Sequence, residues 1–117
     1  MTTGTAFAEA LAAKDPAALR AVLADDLDCK ALTPRRFWEA SSAGELVDEV
    51  ILGTWFGPTD DIEALEAVET SEVGGRQRVA YRLRVANPEG RFLVEQQAYY
   101  DTDDDRISWL RILCAGY

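Results

Sequence analysis

The sequence predicts an α+β fold, a late sheet covered by early helices, and three observations carry that reading. From Arg76 to Tyr117 the residues alternate between apolar and polar in three runs separated by short turn signals. Before Gly57 the apolar residues recur mostly at helical spacing. At 117 residues, with 48% hydrophobic and 28% charged, the chain is long enough to bury a core and has the composition of an ordinary folded protein. No linker, repeat or low-complexity tract interrupts it, so residues 1–117 read as a single domain.

Phe7, Ala10 and Leu11 mark the first helix. Lys14-Asp15-Pro16 ends it and starts a second, with Asp15 as cap and Pro16 in the first helical position. Leu19, Val22 and Leu23 form the apolar stripe of that second helix, which Asp25-Asp26 closes. Leu27, Cys29 and Ala31 then alternate with Asp28, Lys30 and Leu32, predicting a short strand. Thr33-Pro34 restarts a brief helical turn through Arg35–Ala40. Ser42 and Glu45 stand at capping-box spacing before a third helix, whose buried face is Leu46, Val47, Val50 and Ile51, with Trp55 near its end. Gly57-Pro58 stops it.

Residues 61–73 fit two templates. Ile62, Leu65 and Val68 lie three apart, as in a helix, yet Gly74-Gly75 has the chemistry of a hairpin turn. The segment is read as an edge strand on that ground. Val79, Tyr81, Leu83 and Val85 form one face of the next strand, Asn87–Gly90 a turn, and Phe92–Tyr100 another strand. Thr102–Asp105 is a turn, and Ile107–Cys114 the last strand.

Composition narrows the function classes. A formal charge of −9 argues against nucleic acid or an anionic membrane surface as partner. No apolar run reaches membrane-spanning length, and the N-terminus has neither the basic nor the apolar region of a signal peptide, so a cytoplasmic location is expected. There is no histidine, the commonest general acid/base and metal ligand. Cys29 and Cys114 have no metal-ligand spacing and read as small packed hydrophobes, reduced in a cytoplasm. The run Asp101, Asp103, Asp104, Asp105 lacks the spaced ligands and distal Glu of a calcium loop and reads as a polar turn. Neither a metal nor a cofactor is expected.

The stretch from Phe7 to Asp26, with Lys14-Asp15-Pro16 joining two helices and Ala24-Asp25-Asp26 before the first strand, resembles the opening of the nuclear transport factor 2-like superfamily. Arg106–Arg111 is similar to its closing strand, and Cys114–Tyr117 is similar to the ends of SnoaL-like bacterial members. The resemblance implies an α+β cone: N-terminal helices packed in the concave face of a strongly curved, mostly antiparallel sheet, around an apolar pocket open at one end. Members include steroid isomerases, polyketide cyclases, dehydratases, epoxide hydrolases and binding-only proteins, so the fold licenses a pocket and not a reaction.

Aligned with the ketosteroid isomerases, their catalytic Tyr falls on Phe7 and their base Asp on Ala31, neither of which can move a proton. Their protonated Asp falls on or beside Gln96, which retains a hydrogen-bond donor. The same alignment turns Ser108, Leu110, Ile112 and Cys114 inward with Val94, Gln96, Ala98 and Tyr100. The expected ligand pocket is Phe7, Trp55, Tyr81, Gln96, Tyr100, Leu110 and Cys114, with an apolar, polycyclic or polyketide-type small molecule as its occupant. Each of these side chains has a structural alternative: Gln96 bonding Tyr81 or Tyr100, the tyrosines and tryptophans (Trp38 included) filling core. A nucleophilic Cys114 would need a base or cation that an apolar wall does not supply. On the outer sheet face, Arg82, Arg84, Gln97, Tyr99, Trp109 and Arg111 are the residue types of interface hot spots. The superfamily commonly dimerises there, so a homodimer through the sheet face is expected. The alternative is a solvated face with arginine stems lying over Trp109.

Overall fold

A computed structural model describes residues 2–115. Helices α1 (Thr3–Ala12) and α2 (Pro16–Ala21) are followed by strands β1 (Leu23–Thr33) and β2 (Arg36–Ala40), then helix α3 (Glu45–Trp55). Strands β3 (Asp61–Val73), β4 (Arg76–Asn87), β5 (Gly90–Asp103) and β6 (Arg106–Ala115) complete the chain. The six strands form one sheet in the order β2-β1-β6-β5-β4-β3, antiparallel throughout except for β1 beside β6. Register shifts in β1, β3 and the β5–β6 pair add local bends, as bulges do. The helices cover one face: Phe7, Leu11, Leu19, Leu46, Val47 and Ile51 form one continuous core with Tyr81, Leu83, Ala98 and Leu110 of the sheet. This is the α+β cone.

Local chemistry explains where the elements begin. Asp15 accepts from the Ala18 N–H at 3.1 Å with Pro16 as first helical residue, as expected. Ser42 Oγ accepts from the Glu45 N–H at 3.1 Å, and Glu45 Oε1 reaches back to the Ser41 N–H at 2.8 Å, a capping box displaced by one residue. Gly74 and Gly75 both take positive φ, 58° and 84°, which a two-residue hairpin of matching twist requires. Residues 61–73 are therefore an edge strand, paired with β4 from Asp61 to Val73.

Three local expectations are corrected. Helix α2 ends at Ala21, and Leu23 belongs to β1, where it pairs with Ile107. Leu23 stands four residues after Leu19, a helical spacing, and four before Leu27, with which it shares the buried face of β1 by strand parity. Arg36–Ala40 is a strand, not a helical turn. A two-residue turn at Pro34-Arg35, with Arg35 at φ 72°, folds it back onto β1. The β-preferring pair Phe37-Trp38 favours that outcome, and Thr33 Oγ1 pins it, accepting from Trp38 Nε1 at 2.8 Å. Ser108 is only half-buried; the irregularity opposite Asp101 and Thr102 turns Ile107 inward instead. The Gly116-Tyr117 part of the terminal resemblance lies outside the described residues.

Helix α3 has π geometry, the Phe56 N–H reaching the Ile51 carbonyl at 2.8 Å. Such wide turns are uncommon and concentrate at functional sites. Its apolar residues Leu46, Val47, Val50 and Ile51 are buried, as their spacing predicts.

Candidate functional site

Where α3 ends, the sheet is not filled. A cavity of about 490 Å³ lies between the β1–β2 hairpin, the end of α3 and the inward faces of β4, β5 and β6, within the usual range for small-molecule sites. Val85, Val94, Gln96 and Cys114 form its sheet wall, and Trp55 and Phe56 its helical wall. Thr33 and Trp38 come from the hairpin. Exposed Pro34, Arg36, Thr54 and Glu89 lie at the mouth, beside half-buried Phe92, Asp60 and Asn87.

The mouth is built by specific contacts. Trp38 meets Trp55 edge to face, with ring centroids 6.0 Å apart, and the Arg36 guanidinium lies 3.6 Å over the Trp38 ring. Asp60 is a part-buried carboxylate whose two oxygens accept from the Gly57 N–H and from Asn87 Nδ2, each at 3.0 Å. Lys14 Nζ donates to the carbonyls of Gly57 at 2.7 Å and Asp60 at 2.6 Å, tying this loop to the end of α1.

Deeper in, the Tyr81 hydroxyl donates to Gln96 Oε1 at 2.6 Å. Two buried donors, Gln96 Nε2 and Trp55 Nε1, have no hydrogen-bonded nitrogen or oxygen partner among the described residues. Burial pushes the Tyr81 hydroxyl well above its usual pKa, with Cys114 and Cys29 adding to the rise, so it stays protonated. Burial also raises the Cys114 thiol, and a weak hydrogen bond from the Gln96 side chain, opposite it in the β5–β6 register, offsets part of that. A neutral S–H accepts hydrogen bonds poorly, so this sulfur satisfies the amide nitrogen only weakly. Cys29 is pushed up to about 12, mainly by burial, with Arg111 lowering and Asp28 raising it.

The seven pocket residues expected from the sequence fall into two groups. Trp55, Gln96 and Cys114 line the cavity. Phe7, Tyr81, Tyr100 and Leu110 are buried core around it. Phe7 packs edge-on to Tyr81 at 6.3 Å, and the Tyr100 hydroxyl accepts from the Gly4 N–H at 2.9 Å. Ala31, like Phe7, is buried in hydrocarbon. Thr33, Val85 and Phe92 join the wall without having been singled out; Val85 and Phe92 are register partners, so the inward parity of Val85 carried the signal. Nothing in the sequence pointed to Asp60 or Asn87.

On the opposite sheet face the expected interface residues engage neighbours within the chain. Arg82 pairs with Glu95, Arg84 with Glu66 and Arg111 with Asp28. Arg76 and Arg111 lie 3.7 and 4.3 Å over the Trp109 ring. Gln97 Oε1 accepts from Arg78, and Tyr99 is half-buried beside it. The largest exposed apolar side chains of this face are elsewhere, at Leu32, Phe37, Leu93 and Leu113. Among the described residues, no group of three or more His, Cys, Asp or Glu could hold a metal ion, and no helix is long and apolar enough to cross a membrane.

No family model matches the chain, and no curated protein matches its sequence significantly. Solved structures do match it. An LEH-like epoxide hydrolase from M. tuberculosis is 17% identical with a TM-score of 0.69, covering 97% of this chain and 80% of that one. A candidate polyketide cyclase from Xanthomonas campestris is 15% identical with a TM-score of 0.71, covering 95% and 86%. A protein of ketosteroid isomerase-like fold from Catenulispora acidiphila, in complex with trimethylamine, is 13% identical with a TM-score of 0.69, covering 96% and 85%. Identities this low speak for architecture alone, and on that ground the chain has the nuclear transport factor 2-like (SnoaL-like) fold.

Proposed function

We propose that the chain, acting as one domain over residues 1–117, binds an apolar, polycyclic or polyketide-type small molecule in the cavity beside Gln96. The observation that carries this reading is the cavity itself, about 490 Å³ with aromatic and aliphatic side chains in its walls and polar ones gathered mainly at its mouth. The similar solved structures named as an epoxide hydrolase and a polyketide cyclase support a small-molecule role for this fold. If turnover occurs, it is cofactor-free isomerase, cyclase or dehydratase chemistry resting on a polarised carbonyl. Binding without turnover has the better support. Asp60 already accepts two protein hydrogen bonds, Glu89 stands at the exposed mouth, and Phe7 and Ala31 offer no group that moves a proton.

A thermal-shift screen with polycyclic ketones and polyketide fragments tests the reading. A ligand at one hundred times its Kd stabilises the folded state by about 2.7 kcal/mol through mass action. Hits lost on Val94→Phe, which fills the sheet wall, are the expected result; silence across the panel refutes the reading.

We also propose a homodimer through the outer sheet face, in a bacterial cytoplasm. Leu32, Phe37 and Leu113 are each more than half exposed on neighbouring strands and support the dimer. The expected contacts at Arg82, Arg84, Gln97, Tyr99, Trp109 and Arg111 then form its polar surround. Sedimentation of the wild type as a dimer, and of Leu113→Asp as a monomer, is the expected outcome; a monomeric wild type at micromolar concentration rejects it.

A further inference from the structure

We infer that the cavity selects ligands carrying a hydrogen-bond acceptor and no donor, such as ketones, esters or lactones, and that Tyr81 is the positioning residue that sets this preference through Gln96. The inference rests on the binding role proposed above and adds to it the class of ligand and the residue that chooses it.

The geometry begins with the Gln96 amide. Its two ends are a donor and an acceptor of nearly the same size, so what it offers a ligand depends on which end is turned away. Tyr81 decides this. Its hydroxyl stands 2.6 Å from the amide, short for an N–H···O bond and normal for O–H···O. Tyr81 thus donates to Oε1 and leaves Nε2 as the free end. Burial keeps the phenol protonated, so the donation persists at every ordinary pH. Donation to the oxygen also polarises the amide and strengthens its N–H groups.

Gln96 is 1% exposed and its side chain belongs to the cavity wall, yet its Nε2 has no partner better than the weakly accepting Cys114 sulfur. Trp55 supplies a second unpartnered buried donor, Nε1, from the opposite wall. Most buried polar groups are paired, and an orphaned one costs about 1–3 kcal/mol. Both orphans here are donors, and both belong to residues of the same cavity. An acceptor satisfies them; an N–H donor in the same place meets only other donors. The nitrogens are sealed from water, so the half-buried Trp55 and Cys114 side chains must turn as a ligand enters.

Three planar tricyclic probes of nearly equal shape separate the terms: fluorenone presents a carbonyl, carbazole an N–H, and fluorene neither. Titration calorimetry of the intact chain should give about tenfold tighter binding for fluorenone than for fluorene, with carbazole no tighter than fluorene. The bound fluorenone carbonyl stretch should fall below its value in hexane. Tyr81→Phe frees the amide to turn, so the fluorenone-to-carbazole ratio should drop toward one and the stretch move back, with fluorene affinity unchanged. Gln96→Leu should abolish the ketone preference while retaining fluorene, and it carries the test should Tyr81→Phe not fold. Equal binding of fluorene and fluorenone overturns the inference and leaves the pocket standing, as does a Tyr81→Phe protein with the wild-type ratio. Binding of none of the three withdraws the pocket reading and this inference together.

Discussion

Gly53→Ala reverses a familiar expectation. Gly53 is an exposed glycine in helix α3, and replacing such a residue with alanine usually stabilises a protein by about 0.5–1 kcal/mol. Here the added Cβ would run into the Asp48 carbonyl oxygen, well inside van der Waals contact, and stand 3.3 Å from its carbon. Those are backbone atoms five residues earlier, brought close by the wide turns of α3, so no rotamer change relieves the contact. The turn must open by roughly half an ångström or more, a strain of the kind that overpacking makes cost about 1–3 kcal/mol. Setting the propensity gain against it leaves a net loss of up to about 2.5 kcal/mol, centred near 1 kcal/mol, which is roughly 4–6 °C in Tm for a chain near this size. Urea unfolding followed by both circular dichroism and tryptophan fluorescence measures it. Because Trp55 lies two residues on, the folded-state emission should shift as well. A Gly53→Ala protein as stable as wild type, or more so, would refute the close approach and with it the π geometry of α3.

Other consequences are quicker to state. Tyr100→Phe leaves the buried Gly4 N–H without its acceptor and should cost about 1–2 kcal/mol in urea unfolding. Gly4→Ala should cost more, since its Cβ would meet Tyr100 Oη at 2.6 Å and Val79 Cβ at 2.9 Å. Lys14→Met removes both bonds to the Gly57–Asp60 loop, and hydrogen exchange should quicken at Gly57, whose N–H Asp60 holds. Stability should also fall in alkali. Cys29 ionises near 9.0 when unfolded and near 12 when folded, so above pH 9 the unfolded chain releases a proton that the native state keeps. Its contribution is whole below pH 9 and declines by about 1.4 kcal/mol per pH unit up to about pH 12. Cys29→Ala should flatten that slope, as read from urea midpoints at pH 8, 9 and 10.

What the sequence made legible follows from how each element earns its burial. Strands β4 and β5 alternate cleanly because one face meets the helices and the other meets water, so parity put Tyr81 and Leu83 on one face and the isomerase alignment could turn Val94, Gln96 and Tyr100 inward together. Leu23 was misplaced because its spacing from Leu19 suits a helix as well as a strand, and where a bulge interrupts the β5–β6 ladder parity fails, so that Ile107 takes the inward place expected of Ser108. Strand β2 was hidden because Arg36–Ala40 has a hairpin partner but no alternation of its own. The π turns of α3 were hidden because Leu46, Val47, Val50 and Ile51 suit either helical pitch. The cavity rim was hidden most, since Asp60 and Asn87 are brought together by loops whose path depends on Lys14.

The placement of the cavity has one source in the core beneath it. Phe7 and Ala31, the positions where the isomerase resemblance would put a hydroxyl and a carboxylate, are 0% and 3% exposed. Phe7 lies edge-on to Tyr81, and Leu110 is buried in the same core, so this part of the cone is packed with side chains. A charged or strongly polar group there would have required a partner or a solvated channel. Hydrocarbon requires neither, and the empty volume is found instead at the end of α3, where Trp38, Trp55 and Phe92 hold the walls apart. Gln96 sits on the boundary between the two regions, one end of its amide bonded into the packed core through Tyr81 and the other left at the cavity wall. At the deep end of the cavity the polar chemistry therefore falls to an amide that donates a hydrogen bond and transfers no proton, in keeping with the proposed reading of recognition over turnover.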